Sequence, residues 1–86
     1  MKAIIKENGE ERVIKEGTFD EVREYLASEL DNLLDWLDEE GNQWDDFKAL
    51  KSNIKEDIKK ADSLEDLESA FEEINEEMSW WGIYFE

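Results

Sequence analysis

The chain of 86 residues has no cysteine, no histidine and no proline, and only 10 basic residues against 26 acidic ones. Without Cys or His there is no thiolate nucleophile, no imidazole base, no Cys/His zinc site and no disulfide framework. No apolar run approaches the roughly 20 residues that span a bilayer. The opening Met1-Lys2-Ala3-Ile4-Ile5 turns charged at Lys6 and Glu7, short of a signal-peptide apolar segment, so a cytoplasmic protein is expected. What remains is a formal net charge of −16 on one small chain. That field repels nucleic acid and anionic membrane and attracts basic proteins. A chain of this length buries one modest core, which predicts a single domain spanning residues 1–86.

The apolar residues are few but regularly placed, so the pattern argues for folding where the composition, 42% charged, leans towards disorder. Residues 2–7 and 10–15 flank Asn8-Gly9, the dipeptide suited to a type I′ turn, and predict a β-hairpin. A two-residue loop places Glu7 opposite Glu10, Lys6 opposite Glu11, Ile4 opposite Val13 and Ala3 opposite Ile14. Thr18-Phe19-Asp20-Glu21 has the form of a capping box. The helix it opens carries Phe19, Val22, Leu26, Leu30, Leu33 and Leu37 on one stripe and is expected to stop at Gly41. A second helix is predicted from about Gln43 or Trp44 to Ala61, burying Phe47, Leu50, Ile54, Ile58 and Ala61. A third begins at Ser63, with Leu64, Leu67, Phe71, Ile74 and Met78 as its apolar stripe; packing against the other helices accounts for that stripe more simply than a cofactor groove does. The terminal Trp80-Trp81-Gly82-Ile83-Tyr84-Phe85 reads as a strand returning beside the hairpin, or as an exposed aromatic anchor. The expected fold is therefore α+β, in the order β-β-α-α-α-β, with a three-stranded antiparallel sheet packed with three helices.

Charge is placed less evenly. Residues 18–46 hold eleven acids and Arg23, residues 47–61 hold five lysines against Glu56 and Asp57, and residues 62–86 hold nine acids and no base. At about 100° per residue, Asp20, Glu24, Asp31, Asp35 and Asp38 form one row beside the apolar stripe of the first helix, while Glu39, Glu40, Asp45 and Asp46 extend it around Gly41. Glu65, Glu68, Glu72 and Glu76 form a similar row on the third helix. Lys48, Lys51, Lys55 and Lys59 share one side of the second, from which they are expected to reach acids of a neighbour and leave the outer acids unpaired. Like charges so spaced destabilise a helix, and solubility alone needs a net magnitude of only about 2 to 8. The rows are therefore candidate partner-binding residues: Asp20, Glu24, Asp31, Asp35, Asp38, Glu39, Asp45 and Asp46 with Glu68, Glu72 and Glu76.

Catalysis is not expected, since paired carboxylates such as Asp35 with Asp38 lack an evident cleft to separate their pKa values. Nor is a cofactor or a metal. Asp38-Glu39-Glu40-Gly41-Asn42 looks like part of an EF-hand loop, but placing Gly41 sixth puts Trp36 first and Phe47 twelfth, where two acidic ligands are required.

The small size and the carboxylate rows at Asp20 to Asp46 and Glu65 to Glu77 resemble the DNA-mimic inhibitors of phages and mobile elements, the anti-CRISPR and anti-restriction proteins. The likeness is one of plan, with no shared motif. It implies a stoichiometric inhibitor occupying the basic nucleic-acid site of a CRISPR effector or another defence nuclease. Met1-Lys2-Ala3-Ile4-Ile5, Asn8-Gly9-Glu10 and Asn32-Leu33-Leu34-Asp35-Trp36-Leu37 also resemble barstar-like nuclease immunity proteins, which implies a nuclease toxin as the partner instead. A regulatory interaction domain using the C-terminal aromatics is the alternative that does not depend on charge.

Overall fold

The computed structural model describes residues 1–35 and 47–86, with only the backbone of Phe47 and Lys48. Within them the order is β1 (Lys2–Glu7), β2 (Glu10–Glu16), α1 (Phe19–Leu33), α2 (Phe47–Lys60), α3 (Leu64–Glu77) and β3 (Trp81–Phe85). The predicted β-β-α-α-α-β order and three-stranded antiparallel sheet are both present.

Asn8 and Gly9 take φ of 53° and 85°, the left-handed pair that a type I′ turn demands and that asparagine and glycine tolerate best. Four of the six hairpin pairs follow from that turn, from Glu7 opposite Glu10 to Ile4 opposite Val13. The register then shifts between Ala3 and Ile4, so that Ala3 lies opposite Lys15 and not opposite Ile14 as the turn alone predicts. A β-bulge on the outer strand is the cause: two residues of β2 oppose one of β1. Ile14 packs half-buried against the core, and the Lys15 ammonium sits 5.8 Å from the centre of the Tyr25 ring on α1.

The strand order is β2-β1-β3. β3 pairs antiparallel with β1, placing Ile83 opposite Ile5 and Phe85 opposite Ala3. Main-chain bonds close both ends of this pairing: Lys2 and Glu86 exchange bonds of 2.8 and 3.0 Å, and the Asn8 amide donates to the Trp80 carbonyl at 2.8 Å. Ala3, Ile5, Trp81 and Ile83 are buried on the face turned to the helices, and Phe85 packs half-buried beside them. A lone hairpin is marginal in water; this third strand and the helical cover make the sheet stable.

α1 begins as its sequence requires. The Glu21 amide donates to Thr18 Oγ1 at 3.2 Å and the Thr18 amide to Glu21 Oε1 at 3.1 Å. Its end differs from expectation: the helix stops at Leu33, ahead of the predicted run through Leu37 to Gly41. Asp31 and Asn32 are weak helix formers, and the last turn holds no base to oppose the negative end of the helix dipole. The buried stripe is correspondingly Val22, Leu26, Leu30 and Leu34, with Leu33 only half-buried. Leu37, the Gly41 turn, the EF-hand-like segment and the predicted start of the second helix lie outside the described residues.

α2 buries Leu50, Ile54 and Ile58, with Ala61 just beyond its end, and α3 buries Leu67, Phe71 and Ile74, with Met78 at its C-terminal cap. Leu64, assigned to the α3 stripe by its spacing, is exposed. It is the first residue of the helix, where the chain has not yet come over the core. Ser63 caps α3 by accepting from the Asp66 amide at 3.3 Å, and the Asp66 carboxylate accepts from the Asp62 amide at 3.0 Å. No buried side chain among the described residues is polar or charged, so all the carboxylates described lie at or near the surface.

Candidate functional site

The two acidic rows have different surroundings. On α1, Asp20 lies 3.3 Å from Arg23, whose guanidinium also donates to the Ala61 carbonyl at 3.0 Å and so ties the first turns of α1 to the end of α2. Asp31 lies 3.0 Å from Lys51 Nζ on α2. The Lys51 hydrogen bond, then the charges of Lys51 and Lys55 against slight desolvation, hold the Asp31 carboxyl below the ordinary aspartate value. Lys51 is only 22% exposed in its side chain, so its stem is largely covered while its head meets the acid. Of the α2 lysines, Lys51 thus does reach a neighbouring acid, but the acid is a member of the row expected to stay unpaired, and the Lys48 side chain lies outside the described residues. Two described members of the row are thus ion-paired, Asp20 within α1 and Asp31 to α2. Glu24 and Asp35 are exposed, while Asp38, Glu39, Asp45 and Asp46 lie outside the described residues.

On α3 the balance is reversed. Glu65, Glu68, Glu72 and Glu76 are all exposed, and among the described residues no cation lies within ion-pair distance of them. Neighbouring members four apart sit about 6 Å from each other along the helix, so Glu68, Glu72 and Glu76 span about 12 Å.

These three acids also edge a groove. Together with Ser69 and Asn75 they face Ile83, Tyr84 and Phe85 of β3, enclosing about 480 Å³. Asn75 builds its floor. Its amide Nδ2 donates to the Ile83 carbonyl and its Oδ1 accepts from the Ile83 amide, both at 2.9 Å, so one side chain takes up both outward main-chain groups of the strand's central residue. β3 is an edge strand, and this contact fastens its free edge to α3. Gly82 supplies the second element. A Cβ there would lie 2.7 Å from Tyr84 Cε2 and 2.9 Å from its hydroxyl, so only glycine lets the Tyr84 ring fold back along the strand. The ring remains 45% exposed. Phe85 is held from below by Phe71, the ring centroids being 6.3 Å apart.

The C-terminal aromatics therefore divide. Trp81 is buried, Trp80 and Phe85 are half-buried and Tyr84 alone is open. Asn75 and Gly82 were not legible as site residues. The available signal was an asparagine in the last turn of a helix otherwise rich in glutamate, a residue type that gives up helix stability to bond with backbone.

Chemically, the groove offers carboxylates above an apolar, partly aromatic floor. Among the described residues no group of three acids is gathered closely enough to hold a metal ion, and no helix is long and apolar enough to cross a membrane. No family model matches the chain, and no curated protein or solved structure matches it either.

Proposed function

We propose that this protein is a stoichiometric inhibitor that occupies the basic nucleic-acid-binding site of a defence nuclease, such as a CRISPR effector or a restriction enzyme, with carboxylates standing in for phosphates. The observation that carries the reading is the acidic row of α3, held on a rigid helix at steps of about 6 Å with no described cation within ion-pair distance, while Lys51 of α2 pairs with Asp31 of α1 and Lys60 with Glu56 of α2 itself. Nucleic-acid binders meet phosphates with rows of Lys and Arg and release counterions on doing so. A helix with carboxylates every turn offers the same surface a competing ligand of matching sign. The repulsion among those acids destabilises the free protein and is relieved when a basic partner docks.

The test is inhibition of nuclease cleavage by the intact protein, compared with two triple variants: Glu68, Glu72 and Glu76 reversed to Lys, and Asp31, Asp35 and Asp38 reversed to Lys. Loss of inhibition is expected for the α3 triple, with a steep decline of wild-type potency from about 50 to 300 mM salt, because charge steers the encounter. Equal inhibition by all three proteins across that range refutes charge mimicry. The Asp31 change also removes the Lys51 partner, so the melting temperature of that variant must be read beside its activity.

A nuclease-toxin immunity protein would use the same act against a different enzyme, and the toxin belongs in the same panel. The reading as a regulatory interaction domain rests on Tyr84 and the groove, since Trp81 is committed to the core.

A further inference from the structure

We propose that the groove between α3 and β3 takes an arginine side chain of the basic partner, with the guanidinium laid on the open side of the Tyr84 ring and bonded by Glu72 or Glu76. The inference rests on the reading of the protein as the occupant of a basic site, and it names what that site must present.

The shape and chemistry of the groove favour this occupant over other cations. The carboxylates stand in line along one helix and are not gathered around a point, and no metal-holding group of acids is present among the described residues. An elongated cation with an apolar stem fits such a channel. Its methylenes lie against the half-buried Phe85 while its head reaches the acids. Between the two basic side chains, arginine matches better: its flat guanidinium stacks on an aromatic face and bonds a carboxylate through two parallel N–H groups, whereas an ammonium is a compact, strongly hydrated charge. The receptor is already formed. Gly82 lets Tyr84 fold back along β3, and the paired 2.9 Å bonds of Asn75 fix the strand to the helix, so little order is lost on binding. Those bonds also occupy the Asn75 amide, leaving the carboxylates to meet the ligand.

The probes are octa-arginine and octa-lysine, titrated into the full chain at about 0.15 M salt and followed by amide NMR. Octa-arginine should bind about two- to fivefold more tightly, the worth of one exposed cation–π contact. The shifts should centre on residues 72–76 and 82–85. Tyr84→Ala should erase that preference while leaving octa-lysine affinity in place, and Tyr84→Phe, which keeps the ring, should retain the preference. Glu72→Gln with Glu76→Gln should weaken both peptides. Equal affinity of the wild type for the two peptides overturns the proposal, as does a preference that survives in Tyr84→Ala or a shift map centred on α1. Nuclease inhibition separates the two levels of inference: inhibition without arginine preference removes the groove and leaves the charge mimic, whereas arginine preference in a protein that inhibits no nuclease does the reverse.

Discussion

Replacing Asn75 by alanine tests the joint on which the α3 and β3 surface depends. The wild-type side chain makes two hydrogen bonds of 2.9 Å to the backbone of Ile83, both part-buried. A typical intramolecular hydrogen bond contributes about 0.5 to 1.5 kcal/mol net, and a buried group left without a partner costs about 1 to 3 kcal/mol. Water reaches part of this edge, which places the sum near 2 to 3 kcal/mol. Alanine regains a few tenths of a kcal/mol through its helix propensity. A domain of this size is stable by about 4 to 13 kcal/mol, so the loss is a large share of the total. At about 4 to 8 °C per kcal/mol the melting temperature should fall by roughly 8 to 20 °C. Urea unfolding followed by far-UV circular dichroism supplies the free energy, and hydrogen exchange at the Ile83 amide supplies the location. The amide should exchange much faster in the variant, while amides in the middle of β1 change only by the global loss of stability. A change below about 0.5 kcal/mol with the Ile83 amide still protected would show that the strand edge is held by something else.

Three further outcomes follow from the same structure. Asp31 has its pKa lowered by Lys51, so its contribution to stability is complete above the unfolded aspartate value near pH 4 and is lost as pH falls through the lower folded value; Lys51→Met should move the NMR-monitored titration of Asp31 upward and remove that part of the acid-side loss. Thr18→Ala should cost about 1 kcal/mol in urea unfolding; the Glu21 pKa is lowered first by the Thr18 backbone amide, which alanine keeps, and second by the Thr18 side chain, which it removes, so the Glu21 titration should rise only in part, and unchanged stability would contradict the capping box. Deleting residues 80–86 removes buried Trp81 and Ile83 and exposes the face of β1, so cooperative thermal unfolding should be lost; an unchanged melting temperature would mean that β3 is not part of the core.

Local chemistry was enough to determine the elements and their order. Asn8-Gly9 specifies its turn because few other dipeptides tolerate two positive φ angles, and Thr18 with Glu21 specifies a helix start because it satisfies two amides that otherwise lack partners. The spacing of Leu67, Phe71 and Ile74 determines which side of α3 is buried, whatever it packs against. Properties that depend on a neighbour distant in the chain were decided only by the tertiary structure. The bulge that moves Lys15 opposite Ala3 accompanies the approach of Lys15 to the Tyr25 ring of α1, and hairpin register read from its turn has no knowledge of that helix. The burial of Leu34 in place of Leu33 likewise depends on the core beneath it.

The same division runs through the acids. Their periodicity was sufficient to place Asp20, Glu24 and Asp31 in one row and Glu68, Glu72 and Glu76 in another, because side-chain direction on a helix is a local property. Whether a row is neutralised or left open is a question of which element packs beside it. α2 brings Lys51 to Asp31, whereas α3 turns its row towards β3, where Asn75 holds the strand and Tyr84 stays exposed over Gly82. An ion pair, a groove and a clamped strand edge each need two segments at ångström distances, and only the folded chain supplies those distances.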